Sequence, residues 1–348
     1  MNRLHNLDYL RGIAAFGIML YHYLSWTYGN FESKSFMGRV GVYGVSIFYV
    51  LSGLTLYHVY IQRMVPNRED LFQFAKKRFF RIFPLLWLAT IASVLLKREI
   101  PNWENLFLNL SGLFGFVKWD TYFSTGVWSI GNELVFYVFF PFFIYFSKNN
   151  KSVFYLISAL IFLIYLQFAF SILSPEKTIT EQWRNYVNPL NQVFLFLGGY
   201  LIGFLSEKKE IRNEYSWLFM IGGLALFTAY PSYGDNIYLV TGYNRLIFTL
   251  SCFMMVLGIY KVKGQLPKNL HTPLSWLGEA SYSVYLLHPI VFSLSGIALK
   301  MILCKLGMPD LIRFNWLIAI PVSLVMSYFV YHYFEKYFMK LGHRSKSK

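Results

Sequence analysis

Residues 7–23 read LDYLRGIAAFGIMLYHY, an apolar run of membrane-crossing character interrupted by Asp8, Arg11 and His22. Ionisable groups are costly inside lipid. Where they occur they face a bundle interior or a water-filled cavity, and they mark a functional site. Arg11 and His22 are eleven residues apart. On a helix that is a rotation of roughly 1100°, three turns and about 20° more, over about 16 Å of axis. Both side chains therefore share one face, and Asp8, three residues before Arg11, can pair with it. One helix face carries a cation near one membrane surface and an imidazole well across the bilayer.

The rest of the chain is built on the same scale. Of its 348 residues 56% are hydrophobic, 20% aromatic and 14% charged, where a soluble chain carries about 25% charged. Apolar runs near the ~20 residues needed to cross the hydrocarbon recur at 7–27, 40–61, 79–96, 128–146, 152–171, 189–205, 215–230, 244–260, 280–303 and 315–335. The expected fold is an all-α polytopic membrane protein, a bundle of about ten transmembrane helices. It is read as a single transmembrane domain over residues 1–348 with no appended soluble domain. The stretch 104–117 is apolar but short, and is expected to be a re-entrant or interfacial segment. The first run lacks a small-residue cleavage site and is not read as a cleavable signal. The two cysteines, Cys252 and Cys304, form no CxxC pair, and Cys252 is read as a small buried residue. With no HExxH and no Cys/His cluster, no metal site is expected.

The net charge is +15, yet no nucleic-acid motif is visible and nucleic acid is excluded as a partner. The charge bears instead on orientation. With the N-terminus inside, alternate segments carry twenty Lys and Arg against nine on the other side, with Arg11, Arg245 and Lys300 inside spans. Cytoplasmic loops are the basic ones, so both termini are expected in the cytoplasm.

Other polar residues sit within or beside these spans. In WSIGNELVFYVFFPFF, Glu133 lies about five residues into a span running inward from Trp128, at the depth expected for His22. Imidazole is the usual general base near neutral pH, and a Glu133–His22 pair would fix its tautomer and stabilise the imidazolium. In KKRFFRIFP, Arg78 and Arg81 are spaced to share a helix face. They suit either anionic lipid head groups or a phosphorylated ligand. In SYSVYLLHPI, Tyr285 and His288 stand beside the kink-forming Pro289 and could line a cavity or simply pack. GVYGVSIFYVLSG places Ser52 among small residues that let helices approach closely. Asp8, Ser52, Tyr285 and His288 are thus candidate pore-lining residues.

Taken together these motifs resemble membrane acyltransferase family 3, bacterial transmembrane enzymes that modify glycans. The resemblance spans nearly the whole chain. It rests on Arg11 and His22 matching the family's Arg–x10–His, then on SIFYVLSG, RFFRIFP, WSIGNELVFY and SYSVYLLHP in the family's order. It implies an O-acetyltransferase that takes an acyl group, usually acetyl, from cytoplasmic acyl-CoA to a glycan hydroxyl at the outer face. It further implies a multi-pass protein of the bacterial cytoplasmic (inner) membrane. His22 would be the catalytic histidine, Arg11 its cationic partner, Arg78 and Arg81 the holders of the CoA phosphates, and Glu133 part of the active site. The acceptor would be a glycan or glycolipid, as in exopolysaccharide biosynthesis, with polysaccharide-biosynthesis proteins or a second copy as candidate partners. Acetyl-CoA is a co-substrate here, and no metal is called for.

Within this reading direct transfer and an acyl-enzyme both stay open, since no nucleophile stands out. Some members carry an extracytoplasmic hydrolase-like domain. This chain ends in the basic FEKYFMKLGHRSKSK, so the membrane domain is expected to complete the transfer alone in preference to relaying the acyl group to a separate periplasmic transferase. A proton-coupled transporter using Arg11 and His22 is the alternative from another class. It leaves RFFRIFP without a role and lacks the inverted repeat common in transporters.

Overall fold

A computed structural model describes residues 4–98 and 100–343, and among them every regular element is a helix. Arg3 and the tail cations Arg344, Lys346 and Lys348, counted above for orientation, lie outside the described residues. The main elements are α1 (His5–Tyr28), α2 (Phe36–Tyr60), α3 (Arg68–Lys97), α4 (Val127–Asn149), α5 (Lys151–Gln167), α6 (Pro189–Ser206), α7 (Asn213–Ala229), α8 (Gly242–Lys261), α9 (Lys268–Glu279), α10 (Ser281–Lys305) and α11 (Asn315–Phe329). A π-helical turn carries α5 on to Ile172, and another, Val330–Glu335, carries α11 into a last helix ending at His343.

Eight of these stretches, all but α1, α7 and α9, are long and apolar enough to cross a membrane. The two remaining expected spans are helical as well: α1 holds Asp8 and Arg11, and α7 has only 17 residues. The segment 104–117 forms two short helices, Trp103–Ser111 and Phe114–Val117, too short to cross. α3 begins eleven residues before the expected span, so KKRFFRIFP is continuous helix and Arg78 and Arg81 do share a face. The amphipathic α9 was not foreseen. It packs on α1, where a Cβ on Gly278 would lie 2.1 Å from the Asp8 carbonyl oxygen and one on Gly12 would lie 2.7 Å from the Gly278 nitrogen.

Local signals explain the helix starts. Ser35 accepts from the Gly38 amide, Asn67 from Asp70 and Asn150 from Val153, each at an N-cap. Pro189 opens α6 at a position where its missing N–H costs nothing. α2 forms the middle of the bundle. It touches α1 on one side and α6 on the other, with α4 also against it, while α10 bridges α1 and α3. The α2–α6 crossing is backbone on backbone, because Gly53 meets the Phe196 carbonyl and Gly199 meets the Val50 carbonyl. Rings of Phe136, Phe140, Phe196 and Tyr200, all fully buried, fill the space between α4 and α6.

Two arginines turn out to hold the fold. Arg39, counted as a loop charge, is buried and donates to the carbonyls of Ser33, Phe227, Thr228 and Tyr230, closing the end of α7. Arg245 lies over the Tyr165 ring at 4.1 Å and donates to the Asn191 carbonyl at 2.8 Å. Cys252 is fully buried, as its position in a span suggested.

Candidate functional site

Three adjoining cavities follow the length of α1. The first lies at its start and is lined by Asp8, Arg11, Arg63, Arg81, Glu279 and Glu335 among others. The second, central, is lined by Arg11, Ser52, Arg78, Arg81, Glu133 and Tyr282. The third, at the far end of α1, holds His22 within walls from Tyr21, Trp128, Trp183 and Tyr186. The first two share Arg11, Thr55 and Arg81, and the last two share Val45 and Tyr285. The face that carries both Arg11 and His22 therefore runs beside a line of cavities from the cationic end to the imidazole, about 16 Å along the axis.

At the cationic end Arg11 donates to Asp8 at 3.1 Å, the i,i+3 pair expected from sequence, and to the Thr55 hydroxyl at 3.0 Å. Arg81 lines both cavities, and among the described residues it makes no hydrogen bond or ion pair. Arg78 is set differently. Its guanidinium lies against the rings of Tyr60, Phe74 and Tyr137 at 5.6–6.0 Å, and its Nε is buried with no partner among the described residues. An aromatic cradle of this kind fixes a cation without neutralising it.

Glu133 belongs to this central group. One carboxylate oxygen, Oε1, accepts from the Ser52 hydroxyl at 2.7 Å and from the Tyr137 hydroxyl. This corrects the expected Glu133–His22 pair, which is not formed. Glu133 and Tyr137 are one turn apart and share the face of α4 that looks at Ser52 of α2. Five residues nearer the helix start, Trp128 takes the place beside the His22 cavity. Counting residues set the depth to within a turn or so but not the direction in which the side chain points.

His22 instead belongs to a group of rings. It is stacked on Trp26, one turn along α1, at 5.1 Å and 21°, and on His288 of α10 at 5.3 Å and 19°. His22 makes no hydrogen bond among the described residues, and it lines the third cavity. His288 was expected to line the pore. It is fully buried and lines none of the three cavities, because the rings of His22, Tyr23 and Trp26 cover it. Its Nδ1 faces the Val284 carbonyl at 3.2 Å and its Nε2 has no partner among the described residues.

Of the other pore-lining expectations, Asp8 lines the first cavity, Ser52 the second, and Tyr285 both the second and third. Tyr285 is the wall between them. Its hydroxyl lies 3.0 Å from the Gly126 carbonyl and 2.9 Å from the Ser129 hydroxyl. Gly126 has φ +87°, and a Cβ there would lie 2.9 Å from the Tyr285 hydroxyl, so both the backbone and the tyrosine call for glycine. Sequence reasoning did not reach Tyr137, Thr55 or Glu335. Tyr137 was within reach, being one turn from Glu133. Glu335 was not. It is buried in the π-helical turn and accepts from Ser283 at 2.8 Å, and such turns often mark functional places in helices.

The family model described as an acyltransferase domain matches residues 4–332. The chain is similar to the peptidoglycan O-acetyltransferase OatA of Listeria monocytogenes, 26% identical over 320 residues that cover 82% of this chain and 49% of that protein. It is also similar to the putative peptidoglycan O-acetyltransferase YrhL of Bacillus subtilis, 23% identical over 376 residues that cover 98% of this chain and 56% of that protein. The chain thus spans about half the length of these relatives. No solved structure matches significantly. With the family model spanning nearly all of the described helices and both ends of the cavity line, this chain belongs to the acyltransferase domain family, the membrane family that its motifs resemble.

Proposed function

We propose that this protein is an integral membrane O-acyltransferase that moves an acetyl or other acyl group from cytoplasmic acyl-CoA to a hydroxyl of a cell-surface or lipid-linked glycan. The observation that carries the reading is the line of three cavities from a mouth where Arg11, Arg63 and Arg81 stand among Asp8, Glu279 and Glu335 to an imidazole. CoA is a long molecule with phosphates at one end and a thioester at the other. Its phosphates would meet Arg81 and Arg11, with Arg78 held ready in its ring cradle. The pantetheine arm would run past Ser52 and Glu133, and the thioester would arrive at the Tyr285 and Val45 wall, where the two substrates meet.

His22 is the base. It takes the proton of the acceptor hydroxyl, the oxygen forms a bond to the thioester carbon, and the carbon–sulfur bond breaks. The departing thiolate then receives the proton from the imidazolium. The fully buried His288 ring behind His22 sets its orientation. Glu133, bonded to Ser52 and Tyr137, shapes the donor channel and balances the charge of Arg11 and Arg81. The reading places the protein in the bacterial cytoplasmic membrane with the Arg11 end inside. The relatives' names point to peptidoglycan as the acceptor class. Because those relatives are about twice as long, relay of the acyl group to a second transferase domain or protein is the competing route.

The test is turnover of isotope-labelled acetyl-CoA by the purified protein in proteoliposomes with a glycan extract. Label should enter a glycan, and His22→Ala should lower the rate by about 10²–10⁴-fold while inserting normally. Undiminished transfer by His22→Ala would refute the assignment. Label released only to an added transferase domain would favour the relay.

A further inference from the structure

The cavity that holds His22 differs in kind from the two before it. None of its lining residues is Asp, Glu, Lys or Arg. Its far side is a group of aromatic rings. Trp128, Trp183 and Tyr186 lie edge to face or tilted at 5.4–5.9 Å from one another, and the Trp183 indole donates to the Tyr122 hydroxyl at 2.8 Å. The same wall carries one orphan polar group. Asn236 is 8% exposed, and its side-chain oxygen is buried with no partner among the described residues. A buried amide oxygen left unpaired costs free energy and calls for an explanation.

Three loops bring this wall together: those before α4 (Tyr122), before α6 (Trp183) and before α8 (Asn236). The last two are latched by Asp235, whose carboxylate accepts from the Ile179 and Ile237 amides at 3.0 and 2.8 Å, and the Trp183–Tyr122 bond ties in the first. The wall is thus built from chain ends that have no part in the donor channel.

A neutral cavity walled by aromatic rings with a few placed polar atoms suits a neutral, ring-shaped, hydroxyl-rich ligand. A nucleotide or a phosphate would find no cation there. A pyranose offers C–H faces to the rings and hydroxyl edges to Asn236 and to the tyrosine hydroxyls. We infer that the cavity formed by Tyr122, Trp128, Trp183, Tyr186 and Asn236 is the acceptor site, which takes an uncharged pyranose ring of a glycan and presents one hydroxyl to His22. The inference rests on the proposed acyl transfer for the role of His22, but it makes a separate claim about which residues hold the sugar.

The test is therefore binding, read apart from turnover. Titration calorimetry of the detergent-solubilised protein with a soluble chito-oligosaccharide should give saturable binding. Asn236→Ala and Trp183→Ala should each weaken it by about tenfold, and Trp183→Phe, which keeps a ring, should recover most of the loss. Acetyl-CoA affinity, measured on the same preparations, should be unchanged, which also shows that each variant has folded. If Trp183→Ala does not fold, Asn236→Ala and Trp183→Phe decide. Unchanged saccharide affinity in Asn236→Ala, or no saccharide binding by a wild type that binds acetyl-CoA, overturns the inference. Saccharide binding that depends on Trp183 and Asn236 in a protein that neither binds nor turns over acetyl-CoA would sustain this site and refute the donor reading instead.

Discussion

The α2–α6 crossing gives the sharpest quantitative prediction, because it ties packing to the proposed donor channel. A methyl group at Gly53 would sit 1.9 Å from the Phe196 carbonyl oxygen, and ordinary contact begins at 3.4 Å. Gly53→Ala must therefore part the two helices by about 1.5 Å, an overpacking change that costs about 1–3 kcal/mol. Ser52 is the neighbouring residue and donates to Glu133 at 2.7 Å. A hydrogen bond does not survive a shift of that size, and losing one to a carboxylate removes about 1.5–3 kcal/mol from the site. Misplacement of about 1 Å in a substrate channel can cost on the order of 10²-fold in rate. Gly53→Ala should therefore lower both the stability measured by denaturant titration in mixed micelles and acetyl-CoA turnover in the folded fraction. Gly222→Ala is the control, since its methyl would find its nearest neighbour, Met254, at 3.4 Å. It should stay within about 0.5 kcal/mol of the parent. A Gly53→Ala protein as stable and active as Gly222→Ala would refute the reasoning.

Arg81→Ala should raise the acetyl-CoA KM by at least about tenfold, the value of one charge-assisted contact; an unchanged KM would remove Arg81 from the donor site. Tyr137→Phe deletes one of the two hydroxyls on the Glu133 oxygen and should cost turnover by about tenfold or more, read in the same assay, with wild-type rates sinking the claim that Glu133 is held for function. Arg39→Ala removes four carbonyl contacts among residues that line neither of the first two cavities. It should lower stability by about 3 kcal/mol or more and leave the KM for acetyl-CoA unaltered in the folded fraction. In whole cells a membrane-impermeant maleimide should label Cys304, exposed near the end of α10, and spare the buried Cys252. Labelling only after permeabilisation would reverse the proposed orientation.

The positions of the helices were legible in the sequence because the bilayer imposes a length, and apolar runs of that length are hard to mistake. α9 was missed because it is amphipathic and lies between two spans; partners distant in sequence hold it, Gly278 against α1, His271 against Tyr9 and Glu279 against Tyr331. Within α1 the Asp8–Arg11 pair could be read at once, since spacing along one helix fixes which side chains meet. Glu133 could be assigned to the site but not to its partners. Its rotation about α4 depends on how α4 packs against α2, and no local pattern records that. His288 shows the same limit over a longer range. It reaches His22 from 266 residues away, and only the packing of α10 on α1 makes it a backing ring instead of a lining one. Arg39 and Arg245 looked like topology or cavity charges and are instead fastenings for carbonyls, a role that depends on helix ends meeting in space.

The wall at Tyr285 and Val45 has an electrical consequence. If donor and acceptor cavities open to opposite faces, most of the membrane voltage falls across that short partition and not across the ~30 Å of hydrocarbon beside it. Moving one charge through the full drop is worth about 2.3 kcal/mol per 100 mV. Tyr285, anchored to Gly126 and Ser129, then insulates the cell against its own enzyme: the site must admit an acyl group while holding back protons and ions.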